Sequence, residues 1–335
     1  MEKTSEMAAA PKQAAEQGAS PVEMPHGKKP KRHTRMQEEI LGTVFASFPL
    51  VGFLLFSAVP VCIAVATMFC DMNGMNITTI RWNNFANFTK AFTDVTFWRS
   101  FLVSLEMVTA HIIGLIVSIV IAAIISQKLK GGKLFTIFFF IPYVCSSAAI
   151  SIMWVQIFKP AGGVLNSLLQ GLGVSETPDW FRDSTYFPLM LIVTIAWKAP
   201  GYGILMVQAA LANVNQSLYE AAKIDGANRF RQFFSITIPA ISPTLYFLLA
   251  MGLLNGLQTF DIAKIFAQKT SGYVTGSAGP SDAGLTSVFH IYNTMNNPGT
   301  GGMPVASIMS LILFVVITLV LALNKKISKW WVSYD

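Results

Sequence analysis

Six stretches of the chain run for about 20 residues or more with few or no charges: 43–70, 97–125, 134–158, 187–212, 244–267 and 304–323. No other feature narrows the possible folds as much. A helix of roughly 20 residues is about 30 Å long, the thickness of a bilayer's hydrocarbon core. Inside lipid the peptide groups have no water to bond, so such a segment satisfies its own backbone as a helix. The expected fold is therefore an all-α membrane protein with six transmembrane helices. Composition agrees, because 53% of the residues are hydrophobic and 12% charged, too few charges to coat a soluble domain.

Lysine and arginine orient these helices. They gather in the N-terminal arm (Lys28, Lys29, Lys31, Arg32, Arg35) and in a short loop (Lys128, Lys130, Lys133). They recur at Lys223, Arg229 and Arg231 and in the tail at Lys325, Lys326 and Lys329. The opposite loops hold about half as many, so both termini and the loop around Glu220 are expected in the cytoplasm. The net charge of +7 follows from these loops and calls for no nucleic acid. Residues 1–39 are rich in Ala, Pro, Gln and Lys and lack the apolar region of a signal peptide. They read as a disordered basic arm, whose cations either meet anionic membrane lipid or only hold the first helix inside. Residues 40–96 then carry the first transmembrane helix and an external loop, 97–331 the membrane core with a loop at 213–243, and 332–335 a tail.

The motifs of self-contained chemistry are missing from the sequence. Lys130-Gly131-Gly132-Lys133 has neither the spacing nor the hydroxyl residue of a phosphate-binding loop, so no nucleotide cofactor is expected on this chain. His26, His33, His111 and His290 are scattered, and Cys62, Cys70 and Cys145 lack metal-ligand spacing. No metal site and no enzyme activity are expected. Asn76-Ile77-Thr78 and Asn87-Phe88-Thr89 fit the glycosylation acceptor pattern, which is short enough to occur by chance.

Between the fourth and fifth apolar runs lies a compact polar insert, residues 220–239. Glu220-Ala221-Ala222 is slim and helix-forming, and Gly226 can take the left-handed conformation that ends such a helix. Phe230, Phe233 and Phe234 follow at i, i+3, i+4, an apolar face that must press on something. Pro239 and Pro243 are expected to end that second helix, since neither has an amide to donate. An ordinary amphipathic loop would show the same pattern.

Glu220-Ala221-Ala222, Gly226 and Ile236-Thr237-Ile238-Pro239 resemble the EAA signature of ABC-type importer permeases, with Ile238 where Leu is usual and with Asp225 and Ala227 flanking the glycine. Phe140-Ile141-Pro142 through Trp154 to Gly162-Gly163-Val164-Leu165-Asn166 resembles the sugar branch of that family, as does Thr259-Phe260-Asp261. The likeness runs from about Phe97 to Trp331. It implies a type I ABC importer permease fold in a bacterial inner membrane, multi-pass, with a cytoplasmic coupling helix. It also implies a dimer of ATPase subunits that bind ATP and Mg2+, a second, unlike permease chain, and an external solute-binding protein. Glu220, Ala221, Ala222, Asp225, Gly226, Ala227 and Phe230 would then dock on the ATPase, with the phenylalanine face held against this chain's own helices. The external loop departs from the branch: Ala278-Gly279-Pro280 stands for Gly-Gly-Pro, and Ile291-Tyr292-Asn293-Thr294-Met295 for its aromatic ending.

The solute path is expected where polar residues interrupt apolar helices. Asn255, Gln258 and Thr259 would share a face at i, i+3, i+4 of the fifth helix, and Asp261 follows. Gly252 and Gly256 either admit a neighbouring helix or leave room for ligand. Trp197, Lys198 and Tyr202 flank a kink expected at Pro200-Gly201. Interhelical bonding would place the same polar residues equally well. Lys198 needs a partner or an aqueous cavity, with Glu106 and Asp261 as candidate acids. A non-sugar solute such as a polyol phosphate stays open. An ion-driven carrier would have no use for the insert, and no internal repeat supports one. Trp180 and Phe181 mark either a docking surface or the membrane interface.

Overall fold

The computed structural model describes residues 32–72, 80–127, 131–271 and 278–333. The expectations for residues 1–31, for Lys128 and Lys130, for the Asn76 pattern and for the last two residues lie outside these. The chain divides into two units, 1–60 and 61–335. In the first, helix α1 (Arg32–Phe53) begins inside the stretch that composition assigned to the arm, and it passes through a π-turn at Leu54–Ala58. Helix α2 (Val59–Thr67) follows. The π-turn sits just ahead of Pro60. Its wider ring, closed by the Val59 amide on the Leu54 carbonyl, lets the helix run on past a residue with no donor.

Unit 61–335 holds a small departure from the all-helical expectation, an antiparallel ribbon of β1 (Cys70–Asp71) and β2 (Arg81–Trp82) with Cys70 opposite Trp82. Then come α3 (Ala86–Thr93), α4 (Val95–Ile125), α5 (Gly132–Val144), α6 (Ser147–Ile157), α7 (Val164–Gly171) and α8 (Tyr186–Lys198). They are followed by α9 (Pro200–Ala212), α10 (Gln216–Ile224), α11 (Arg229–Gln232), α12 (Ile238–Leu257), α13 (Asp261–Thr270), α14 (Ser287–Asn296) and α15 (Gly302–Ser328).

Among the described residues, five helical stretches are long and apolar enough to cross a membrane: Glu39–Thr67, Val95–Ile125, Tyr186–Ala212, Arg229–Thr270 and Gly302–Ser328. The protein is a multi-pass membrane protein. The continuous third helix expected over 134–158 does not form. In its place α5 and α6 meet at 97° and make a sixth crossing only if counted as one span. Pro142 withdraws an amide from the last turn of α5, and Cys145 and Ser146 turn extended before α6 restarts.

Helix α4 is the central post, packed against α8, α9, α12 and α14. Its contact with α12 depends on Gly256, where a Cβ would fall 2.6 Å from the Cα of Val108. The Ser118 hydroxyl lies 2.7 Å from the Gly114 carbonyl and 3.1 Å from that of Pro200, joining α4 to the start of α9. One core gathers Phe181, Phe187, Met190, Leu191 and Phe266, and another Ile204, Val207, Ile241 and Leu245. Trp180 and Phe181 belong to the first of these, so they form neither a docking surface nor an interfacial belt. The Trp180 indole donates to Asn166 Oδ1 at 2.7 Å, and Asn166 Nδ2 reaches the carbonyls of Pro160 and Pro178, each at 3.1 Å. Asn87 is 1% exposed and donates to the Cys70 carbonyl at 2.9 Å, which excludes it as a glycosylation acceptor.

Candidate functional site

The polar insert folds as two helices closed by one turn. The Asn215 side chain caps α10 by accepting from the Ser217 amide at 3.0 Å. At the other end Gly226 stands at φ +74°, a conformation that costs a residue with a Cβ about 1–2 kcal/mol. Its amide bonds the Lys223 carbonyl at 3.1 Å, and the Ala227 amide bonds that of Ala222 at 2.9 Å. This is the Schellman arrangement, which satisfies carbonyls that a helix end leaves free. Asn228 then caps α11 through the Arg231 amide at 2.8 Å. Gln232 is buried and donates to the Ala227 carbonyl at 2.8 Å, and Tyr219 and Thr237 hydroxyls meet at 2.9 Å. The turn is thus braced from behind. Glu220, Ala221, Asp225 and Gly226 face outward, while Ala222 and Ala227 are half-buried.

Two expectations for the insert are corrected. The phenylalanine face does not press on this chain's helices: Phe230 is 72% and Phe234 54% exposed, and the two rings pack on each other at 4.7 Å. Their only close aromatic neighbour among the described residues is Phe233, itself half-buried. Nor do Pro239 and Pro243 end the helix. A π-turn at Phe233–Thr237 carries α11 into α12, with Ile238 donating to Phe233 just before Pro239. The Pro239 carbonyl, which Pro243 cannot serve, accepts the Ser242 hydroxyl at 2.7 Å.

A cavity of about 260 Å³ opens among α4, α5, α9 and α12, lined by His111, Ser118, Tyr143, Tyr202, Gly252 and Asn255 among others. Tyr143 and Tyr202 stack at 5.6 Å, 24° apart, and present one aromatic wall. The two glycines of α12 divide the alternatives between them. Gly256 admits α4, whereas Gly252 borders the cavity, with His111 Cβ 3.3 Å from where its own Cβ would lie. Of the expected path residues, Tyr202, Gly252 and Asn255 meet here. Trp197, Lys198, Gly256, Gln258, Thr259 and Asp261 do not line it. His111, Ser118 and Tyr143 were not expected. His111, Leu115 and Ser118 recur at i, i+4, i+7 on α4, a polar-edged stripe that helical period alone could have revealed.

The remaining path residues lie at the end of α8 and around the end of α12. Helix α8 runs on into α9 through Ala199, which keeps helical geometry (φ −61°, ψ −35°) with its amide on the Ile195 carbonyl at 2.8 Å, so Tyr186–Ala212 passes as one span through the kink expected at Pro200-Gly201. Lys198 Nζ donates to Ser147 Oγ at 3.0 Å, and no carboxylate lies within 4.0 Å of it among the described residues. Neither candidate acid, Glu106 or Asp261, pairs with it among the described residues. Trp197 meets Trp154 edge to face at 5.6 Å. Helix α12 ends at Leu257, so Asn255, Gln258 and Thr259 do not share one continuous helical face. Phe260 leaves helical geometry at φ −138°, and the freed Thr259 carbonyl accepts from the Thr286 hydroxyl. Asp261 opens α13 from an exposed position.

Known proteins place this architecture. The profile described as "Binding-protein-dependent transport system inner membrane component" matches residues 114–330. The chain belongs to this family. Among relatives of this permease, the probable ABC transporter permease protein YesP of Bacillus subtilis is 30% identical over 91% of the chain and 96% of its own length. The lactose transport system permease protein LacF of Rhizobium radiobacter is 27% identical over 76% and 83%. UgpA of Yersinia pestis, an sn-glycerol-3-phosphate transport system permease protein, is 34% identical over 62% and 67%. In structure the permease is similar to a chain of a bacterial alginate ABC transporter, solved with an alginate pentasaccharide-bound periplasmic protein. The TM-score is 0.75 and the identity 20%, over 88% of this chain and 96% of that one, a likeness of fold.

Proposed function

We propose that this permease is one half of the translocation pathway of an ATP-driven importer that takes up a carbohydrate handed over by an external binding protein. The observation that carries the reading is the Gly226 turn. It is capped at both helices, braced by Gln232 and Tyr219, and presents the side chains of Glu220, Ala221 and Asp225 outward, with no side-chain hydrogen bond at Glu220 or Asp225 among the described residues. Such a rigid, outward lever on a chain without a phosphate-binding loop suits docking to a separate ATPase that holds ATP and Mg2+. Positive charge at Lys223, Arg229 and Arg231 supports a cytoplasmic position for it, and with it cytoplasmic termini. The exposed Phe230 and Phe234 extend the docking surface. Across the membrane, the cavity walled by Tyr143 and Tyr202 and edged by Asn255 offers aromatic and polar contacts of the kind a sugar uses. A second, unlike permease chain would complete the pathway. A polyol phosphate is the second reading, favoured by the likeness to UgpA.

The test is transport by the complete assembly in proteoliposomes, with the binding protein outside and ATP inside. Uptake of an oligosaccharide should require ATP and persist when ion gradients are collapsed. Uptake that follows an ion gradient without ATP would refute the reading.

A further inference from the structure

We propose that Lys198 is the point at which the pathway recognises an acidic group on its solute, a carboxylate or a phosphate. The inference deepens the transport reading above and rests on it. Lys198 stands near the midpoint of the span Tyr186–Ala212, as the last residue of α8. A cation at that depth is expensive unless it is paired or reaches water. Among the described residues the pairing is absent: Nζ meets only the Ser147 hydroxyl at 3.0 Å, and no carboxylate lies within ion-pair distance. A neutral hydroxyl holds the ammonium in place without cancelling its charge, and an ammonium has three protons to donate.

The surroundings suit an acidic sugar more than a lone anion. Lys198 is half-buried, and its neighbour Trp197 is 42% exposed and braced edge-on by Trp154. An exposed ring on the same helical turn as a cation offers apolar surface for a pyranose within reach of a charge for the group it bears. Tyr202 follows Lys198 by one helical turn and lines the cavity, so a solute moving along α8 and α9 meets both. The candidate acid Asp261 does not cancel this role. It is exposed in the first turn of α13, where the helix's free amides favour negative charge, and it stays outside ion-pair reach.

The experiment measures ATP-dependent uptake by the complete reconstituted transporter of digalacturonate, of its neutral C6-reduced counterpart, and of glycerol-3-phosphate. Wild-type protein is expected to import one of the acidic solutes in preference to the neutral one. Lys198→Gln should lower that uptake on the order of tenfold, the scale of one charge-assisted hydrogen bond. Lys198→Arg should keep most of it. Ser147→Asp, which retains the lysine but supplies it with an internal carboxylate, should lower it likewise, so the test survives if Lys198→Gln fails to assemble. Co-purification of all subunits reports assembly for each variant. Equal import of the neutral sugar, or indifference of acidic uptake to both Lys198→Gln and Ser147→Asp, overturns the inference while leaving the carbohydrate reading intact. Preference for glycerol-3-phosphate with neither sugar imported upholds the role of Lys198 and overturns the carbohydrate. Import of none of the three overturns both.

Discussion

The two glycines of α12 allow packing and transport to be perturbed separately. At Gly256 an added Cβ would lie 2.6 Å from Val108 Cα and 2.8 Å from the Val108 amide nitrogen. Carbon–carbon contacts want about 3.5–4.0 Å, so Gly256→Ala must move two backbones apart by roughly 1 Å. Overpacking of this kind costs about 1–3 kcal/mol. Little of that is returned by the better helix propensity of alanine, because a helix in lipid is kept by its own backbone bonds even when unpacked. At Gly252 the nearest atom to an added Cβ is His111 Cβ at 3.3 Å, a side-chain contact that a few tenths of an ångström relieve. Gly252→Ala should therefore change stability by less than about 1 kcal/mol, while the new methyl intrudes on the cavity. Thermal unfolding of the purified permease, followed by loss of the monodisperse species, should show a midpoint about 3 °C lower for Gly256→Ala, taking about 2 kcal/mol as the cost. The Gly252→Ala midpoint should stay near wild type. Uptake per assembled transporter should show the reverse order, falling for Gly252→Ala and holding for Gly256→Ala. A Gly256→Ala protein as stable as wild type would refute the packing argument. A Gly252→Ala protein with full uptake would refute the placement of the solute path.

Three further outcomes follow from the same geometry. Gly226→Ala should cost about 1–2 kcal/mol within the turn, with no steric clash since nothing lies within 4 Å, and should weaken ATP-driven uptake in part. Gly226→Pro, which removes the amide bonded to Lys223, and Glu220→Lys, which reverses the charge on the outward face, should both abolish uptake while the ATPase alone still hydrolyses ATP. Normal uptake by these two variants would sink the docking role. Asn166→Ala leaves the buried Trp180 indole without its acceptor and should lower stability by about 1–3 kcal/mol, read as a lower unfolding midpoint.

The parts of the fold that were legible in the sequence are those governed by local rules. Apolar length announced the long spans, and Gly226 announced its turn because few other residues tolerate φ +74° without strain. Prolines misled the reading in both directions. Pro239 and Pro243 looked like stops, yet a π-turn and the Ser242 hydroxyl absorb the missing donors. Pro142 lay within an apolar run that looked continuous, yet the run folds back by 97°. Whether a helix survives a proline depends on what satisfies the abandoned carbonyl, and neither the π-turn nor the fold-back is visible in a residue pattern. Partners across the fold were hidden for the same reason. Lys198 finds Ser147, and Trp180 finds Asn166, through contacts that no spacing rule connects to them.

The breaks themselves account for where the polar residues sit. Helix α5 yields to α6 at Cys145–Ser146, and α12 yields to α13 at Gln258–Phe260. Ser147, Gln258 and Asp261 lie within two residues of one of these breaks, and Lys198 donates to Ser147 at the first. Interrupted helices in a membrane leave backbone groups that only protein, water or ligand can satisfy, so irregular backbone persists where it borders a cavity or is buried in protein. At α12 the protein does so itself, through Thr286. At α5–α6 the extended pair Cys145–Ser146 brings the Ser147 hydroxyl to Lys198. The same discontinuities that spoil the six simple helices therefore supply the polar surface a permease needs. A variant that restored α5–α6 as one straight helix should span the membrane and lose transport, because Ser147 would no longer reach Lys198.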